Sequence, residues 1–141
     1  MTEDTTMPGV VPMLAYEDAD RALDWLASAF GFRERLRLQN DDGTISHAEL
    51  DTGRGVVMLA SPTPDYESPR RHRESCAPAR RWSEVPWVID GVLVAVDDVD
   101  AHYATAKAAG AHILSEPETT DHGRLYRAED LEGHRWMFVA T

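Results

Sequence analysis

Leu14-Ala-Tyr-Glu-Asp-Ala-Asp20 leads into an amphipathic stretch that stops at Gly31, and Val94-Ala-Val-Asp-Asp-Val-Asp100 leads into a second that stops at Gly110. The second passage restates the first from position 18 to position 98: an apolar run, an aspartate cap, a helical pattern and a glycine stop. Three short apolar or alternating runs follow each glycine. They are Arg35 to Leu38, Ile45 to Leu50 and Val56 to Ala60 in the first half, and His112 to Ser115, Arg124 to Ala128 and Arg135 to Ala140 in the second. Both halves therefore read βαβββ. A stretch of about fifty residues cannot bury an adequate core alone, so the halves are expected to share one.

The fold class expected is α+β: two βαβββ modules forming a half-barrel with a concave central cleft. Module one covers about 10–61, a linker 62–90 and module two about 91–141, all within one domain spanning 1–141. The first strand is expected from Val10 to Tyr16, with Pro12 at its start or on a sheet edge. Asp18 or Asp20 caps the first helix, whose apolar residues Ala22, Leu23, Leu26, Ala27 and Phe30 keep three-and-four spacing. Asp41-Asp42-Gly43 and Thr52-Gly53-Arg54-Gly55 read as hairpin turns. In the proline-rich linker, Ser68-Pro69 has the chemistry of a short helix start, and Pro78 is expected to end it.

Composition narrows the function classes. A net charge of −11 opposes broad attraction to nucleic acid or to an anionic membrane. The apolar runs are too short to span a bilayer, and the polar start at Met1 is unlike a signal peptide, so a cytoplasmic protein is expected, with residues 1 to 9 as a frayed leader. Cys76 is the sole cysteine and makes no internal disulfide or zinc knuckle. Arg70, Arg71, Arg73, Arg80 and Arg81 crowd one stretch of an otherwise acidic chain. Pairing with acidic residues of the same or a partner chain is expected for them.

Helices cover one face of each sheet, and period-two alternation then sorts the strand residues. Ala48 and Leu50 belong to the core, leaving His47 and Glu49 on the cavity face. Trp136 and Phe138 fit the core, leaving Arg135, Met137 and Val139 opposite. Arg124 and Tyr126 are placed toward the cavity. His134 is expected to cap the turn after Gly133.

Asp18-Ala-Asp20 to Gly31-Phe32, Gly91 to Asp98, the second helix through Gly110 and the closing Tyr126-Arg-Ala-Glu-Asp-Leu-Glu-Gly-His-Arg-Trp-Met-Phe138 together resemble the vicinal oxygen chelate superfamily. That superfamily includes glyoxalase I, the extradiol dioxygenases and the bleomycin-resistance proteins. The closing segment resembles its glyoxalase-like and bleomycin-resistance-like members. The resemblance implies a small-molecule site on the concave face and a homodimer. In metal enzymes of the family, His or Glu on the first and fourth strand of each module hold a divalent ion; the matching positions here are Val11, Met58, Gly91 and Met137. None of the four ligates a hard or borderline divalent cation, so no metal and no cofactor are expected.

The leading functional expectation is a metal-free, glyoxalase/bleomycin-resistance-like protein that binds a small, partly aromatic molecule, antibiotic sequestration being one such role. Met13, His47, Met58, Trp82, Trp87, Leu93, Arg124, Tyr126 and Met137 are its expected ligand-binding residues. Met58 and Met137 would meet as an adaptable thioether floor, and Trp82 and Trp87 would stack on a planar ligand or close a subunit interface. The alternative is a metal-independent enzyme of lyase or isomerase type with His47 or Glu49 as base and Tyr126 or Arg124 stabilising developing negative charge. A protein-interaction module docking through the arginine-rich linker is a third possibility.

Overall fold

A computed structural model describes residues 7–141, so the first six residues of the expected leader lie outside the described residues. The order is β1 (Met13–Ala15), α1 (Ala19–Phe30), β2 (Arg33–Gln39), β3 (Ile45–Asp51), β4 (Val56–Ala60), α2 (Pro69–Ser75), α3 (Ala77–Ser83), β5 (Gly91–Ala95), α4 (Val99–Ala108), β6 (His112–Thr120), β7 (Gly123–Glu129) and β8 (Arg135–Ala140). The repeat is realised as two four-stranded sheets of the same topology, β1-β4-β3-β2 and β5-β8-β7-β6. In each, the first strand runs parallel to the fourth and the remaining neighbours are antiparallel.

The caps follow local chemistry. Asp18 accepts from the Arg21 amide and Asp98 from the Ala101 amide, and Gly31 closes α1 in the left-handed region at φ 73°. β1 is shorter than Val10–Tyr16. Pro12 lacks an N–H, so the backbone enters the sheet only through its carbonyl, which accepts from the Met58 amide before regular pairing begins at Met13. Ser68 caps α2 through the Arg71 amide, with Pro69 in its first turn. Pro78 does not simply terminate that helix: it sits in the first turn of α3, where a missing N–H costs nothing.

One core serves both modules. Leu23, Leu26 and Phe30 of α1 join Ala48, Leu50 and Leu59 of the first sheet and Tyr126, Trp136 and Phe138 of the second. Phe30 is the hinge of this packing, with ring centroids 4.7 Å from Phe138 and 5.6 Å from Trp136. Burying such an aromatic side chain contributes about 1.5–3 kcal/mol. Because α1 and α4 contact each other and the helix-covered faces meet in this core, the opposite sheet faces are left bare.

A buried polar knot ties the closing turn of module two to module one. Asp130, 1% exposed, accepts from the Tyr16 hydroxyl at 2.5 Å and from Trp136 Nε1 at 3.0 Å, and its other oxygen takes the amides of Glu132 and His134. Burial and the facing Asp130 carboxylate raise the Tyr16 phenol well above its ordinary value, keeping it a neutral donor. Glu132 accepts from the amides of Glu17 and Asp18. His134 does not cap its turn; Asp130 does so, and the His134 ring reaches the Ala15 carbonyl at 2.7 Å and packs on Tyr16. Gly133 has φ 90°, and a Cβ there would stand 2.8 Å from the Arg70 amide nitrogen, so α2 can seat against this turn only over a glycine.

Candidate functional site

Two cavities open on the bare sheet faces. The cavity of module one measures ≈ 310 Å³ and is lined by Met13, Ala15, Met58 and Ala60, with Ser46, His47 and Ser61 on its polar side. Met13 is 77% exposed and pairs with Met58 across the parallel β1–β4 contact. The alternation of β3 buries Ala48 and Leu50 and turns His47 and Glu49 to the cavity side, where His47 Nε2 lies 2.8 Å from Glu49 Oε2. Arg35 of β2 approaches the other Glu49 oxygen at 3.6 Å. The Glu49 carboxylate is thus shared between an imidazole and a guanidinium, an arrangement that orients the imidazole as a hydrogen-bonding group.

The cavity of module two measures ≈ 180 Å³ and is lined by Trp87, Leu93, Leu114, Arg127 and Met137, with Gly91 at its edge. Leu93 pairs with Met137 on one side and Arg127 with Met137 on the other. These three residues repeat the places of Met13, Met58 and Glu49 in the first sheet, where Met13 and Glu49 both pair with Met58. Behind this cavity Arg135, 4% exposed, holds Glu129 at 3.0 Å and donates to the carbonyls of Val85 and Ser83, pinning the end of α3 and the segment after it. Arg73 of α2 reaches the same Glu129 oxygen at 2.7 Å. Burial opposes the Glu129 charge, but the Arg73 hydrogen bond and both guanidinium charges outweigh it and hold the carboxyl below its usual range. Its second oxygen, Oε1, is buried without a hydrogen-bond partner among the described residues.

Tyr126 and Arg124, expected at the cavity, lie on the opposite face of their sheet. Tyr126 is fully buried on the helix-covered face, where its hydroxyl meets His102 Nδ1 at 2.6 Å and its ring stacks on Phe138. Arg124 shares that face and grips Asp100 of α4 through Nε at 2.7 Å and a terminal nitrogen at 2.8 Å. The reason is register: Tyr126 pairs with Phe138, a core residue, so β7 presents Leu125 and Arg127 to the other side. The alternating run permits either phase, and only pairing to β8 selects one. Arg127 is the cavity-lining residue this missed.

Met58 and Met137 do not meet; each lines the cavity of its own sheet. The bare faces thus carry two half-sites, one on each sheet. Trp87 joins the module-two cavity, whereas Trp82 lines a neighbouring depression with Tyr66, His72 and Arg73. The arginine-rich linker folds onto its own chain: Arg71 pairs with Glu17, Arg73 with Glu129, Arg70 reaches the Asp130 carbonyl and Arg80 the carbonyls of Arg73 and Glu74.

The donor set does not fit a divalent metal. No cluster of three or more His, Cys, Asp or Glu side chains with metal-binding geometry occurs among the described residues. Met58 and Met137 occupy the cavity faces, and a Cβ at Gly91 would stand 3.1 Å from the Arg135 carbonyl oxygen, leaving little room for a ligating side chain there.

Paired βαβββ sheets with cavities on their bare faces define a vicinal-oxygen-chelate-type scaffold. The chain belongs to the Glyoxalase/Bleomycin resistance protein/Dioxygenase superfamily, whose family model matches residues 10–138. An uncharacterized protein of Mycobacterium tuberculosis is 31% identical over 134 residues, covering 92% of this chain and 72% of that one. Among solved structures, TioX from Micromonospora sp. ML1 is 41% identical, with a TM-score of 0.69 and coverage of 95% of this chain and 96% of that one. The bleomycin-binding protein of Streptomyces verticillus, complexed with copper(II)-bleomycin, shares the fold at 16% identity and a TM-score of 0.60, covering 98% and 99% of the two chains. TnmS3, an antibiotic binding protein from Streptomyces sp. CB03234, does so at 18% identity and a TM-score of 0.60, covering 96% and 98%.

Proposed function

We propose that this chain is a metal-free small-molecule-binding protein that holds a partly aromatic molecule against its bare sheet faces and sequesters it without turnover, an antibiotic being one such molecule. The observation that carries this reading is the pair of open cavities floored by Met13 and Met58 in one sheet and by Leu93 and Met137 in the other, at the places where the family's metal enzymes carry ligands or their neighbours. Thioether and alkyl groups adapt to apolar surface and do not activate water or polarise a carbonyl. The likeness to antibiotic-binding proteins supports the same reading.

The proposal includes a homodimer, in which a face of one copy closes a face of the other, and a cytoplasmic setting. Support for the dimer is the exposure of Met13 at 77%, Leu93 at 64% and Trp87 at 72%, a large apolar display for a monomer. Among the described residues no helix is long and apolar enough to cross a membrane.

Elemental analysis of the untagged protein, followed by thermal shift with Zn, Ni, Mn and Fe(II), tests the metal-free reading. No metal and no specific shift is the expected result; a stoichiometric ion would overturn it. A second reading, the metal-independent enzyme, is favoured by the 2.8 Å His47–Glu49 contact, which suits a base and its orienting partner. It has lost Tyr126 and Arg124 as stabilisers of negative charge. Turnover of a bound ligand that disappears in His47→Gln would establish it in place of simple sequestration.

A further inference from the structure

We infer that Arg127 selects the ligand of the module-two cavity and that the class selected is an aromatic carboxylate. The inference rests on the binding reading above and gives that reading a chemical class. Arg127 pairs with Met137 on the bare face of β7–β8 and lines the cavity together with Trp87, Leu93 and Leu114. It is half-buried, and among the described residues its side chain makes no hydrogen bond or ion pair. The other arginines on these two faces are tied down: Arg135 to Glu129 and two carbonyls, Arg35 to Glu49.

An unpaired guanidinium beside apolar walls is costly in any chain, and conspicuous in one that carries 25 acidic residues and 14 basic ones. An anion entering the cavity supplies the missing partner. The planar guanidinium fork matches a carboxylate through two parallel hydrogen bonds. The remaining walls set the rest of the molecule: Trp87, 72% exposed, offers an indole surface for stacking, and Leu93, Leu114 and Met137 offer apolar contact. A monoanion is favoured over a phosphate dianion, because Arg135, the other cation lining the cavity among the described residues, already directs its nitrogens to Glu129 and to the Val85 and Ser83 carbonyls. The equivalent place in module one holds Glu49, whose charge is already met by Arg35 and His47, so the second half-site is the one that offers an anion an unpaired cation.

The test uses the whole protein with 2-naphthoate and its neutral counterpart 2-naphthamide, followed by tryptophan fluorescence and calorimetry. Wild type is expected to bind the naphthoate about tenfold more tightly than the amide, equivalent to about 1.4 kcal/mol. Arg127→Met and Arg127→Gln are expected to abolish that preference while leaving the amide affinity within about twofold, and Arg127→Lys to retain part of it. Higher salt is expected to weaken the naphthoate alone. A preference that survives in Arg127→Met, or that is absent in wild type while both probes still bind, overturns the role of Arg127 and leaves the binding reading standing. Failure of both probes to bind wild type overturns both. Arg127→Met that converts dimer to monomer with the preference intact assigns Arg127 to a subunit contact and overturns the proposal. Thermal midpoints of the three variants establish that each is folded, and Arg127→Lys decides the matter if the others are not.

Discussion

Module one and module two place the same backbone under different chemistry. Both bare faces centre on a methionine of the fourth strand, Met58 and Met137, flanked by an apolar residue of the first strand and a charged residue of the third. In module one the charged residue is Glu49, already engaged by His47 and Arg35, so the face is close to electrically closed before any ligand arrives. In module two it is Arg127, without an anionic partner among the described residues, beside an exposed tryptophan. A duplicated scaffold conserves strand register and floor while leaving the third-strand position free to change sign. Binding character then follows from a handful of side chains rather than from the fold.

That contrast depends on the two sheets keeping their relative placement, and the largest expected effect comes from untying them. Asp130→Ala leaves the Tyr16 hydroxyl, Trp136 Nε1 and two backbone amides without an acceptor in a buried setting. A loss of about 3–5 kcal/mol is expected in urea unfolding. Both faces would then lose ligand binding together, and a change under about 1 kcal/mol would show that the modules are held by the aromatic core alone.

A second substitution damages one face and spares the other. Glu129→Leu strands Arg135 and Arg73, the first almost fully buried, and is expected to cost about 2–4 kcal/mol. Because Arg135 also anchors the carbonyls of Ser83 and Val85, the segment carrying Trp87 should loosen. Trp87 fluorescence and naphthoate binding should change, with the His47–Glu49 contact unaltered by NMR. Equal disturbance of both faces would remove the claim that they are independent half-sites.

The smallest effect is a pH dependence located between the modules. His102 donates from Nε2 to the Phe30 carbonyl at 2.9 Å, so its Nδ1 is bare and accepts from the Tyr126 hydroxyl. Burial lowers its folded pKa below the ordinary value of 6.5. The unfolded chain therefore binds the proton more readily, and the stability contributed by neutral His102 is complete above about pH 6.5 and is lost as pH falls through the folded pKa. A shallow decline in the thermal midpoint below pH 6.5 is expected, flattened in His102→Gln. A decline of the same slope in that variant would place the titration elsewhere.

Much of this organisation is legible in the chain. The eighty-residue echo from Asp18 to Asp98 announces two equivalent modules because an aspartate cap and a glycine stop are local devices that work without tertiary help. Ala48 and Leu50 against His47 and Glu49, and Trp136 and Phe138 against Met137, were readable because alternation with a clear polar contrast has one sensible phase. The run from Arg124 to Ala128 has no such contrast. Arginine and aromatic residues stand on both phases or can serve on either, so Tyr126 and Arg124 were expected at the cavity although the pairing with β8 sends them to α4. The repeat itself carried the missing hint, since Arg127 holds the place that Glu49 holds in module one.

By itself, then, the sequence determined the strands and the two capped helices of the modules, their duplicated order, and the core faces of β3 and β8. All of these depend on local periodicity, capping and side-chain chemistry. Only the tertiary structure decided that the two sheets share one core through Phe30, that Met58 and Met137 floor separate cavities, and that Arg127 rather than Arg124 or Tyr126 lines the second. Those outcomes depend on which strands pair and which faces meet, and such long-range contacts are chosen by the packing of the whole chain rather than by any stretch of it.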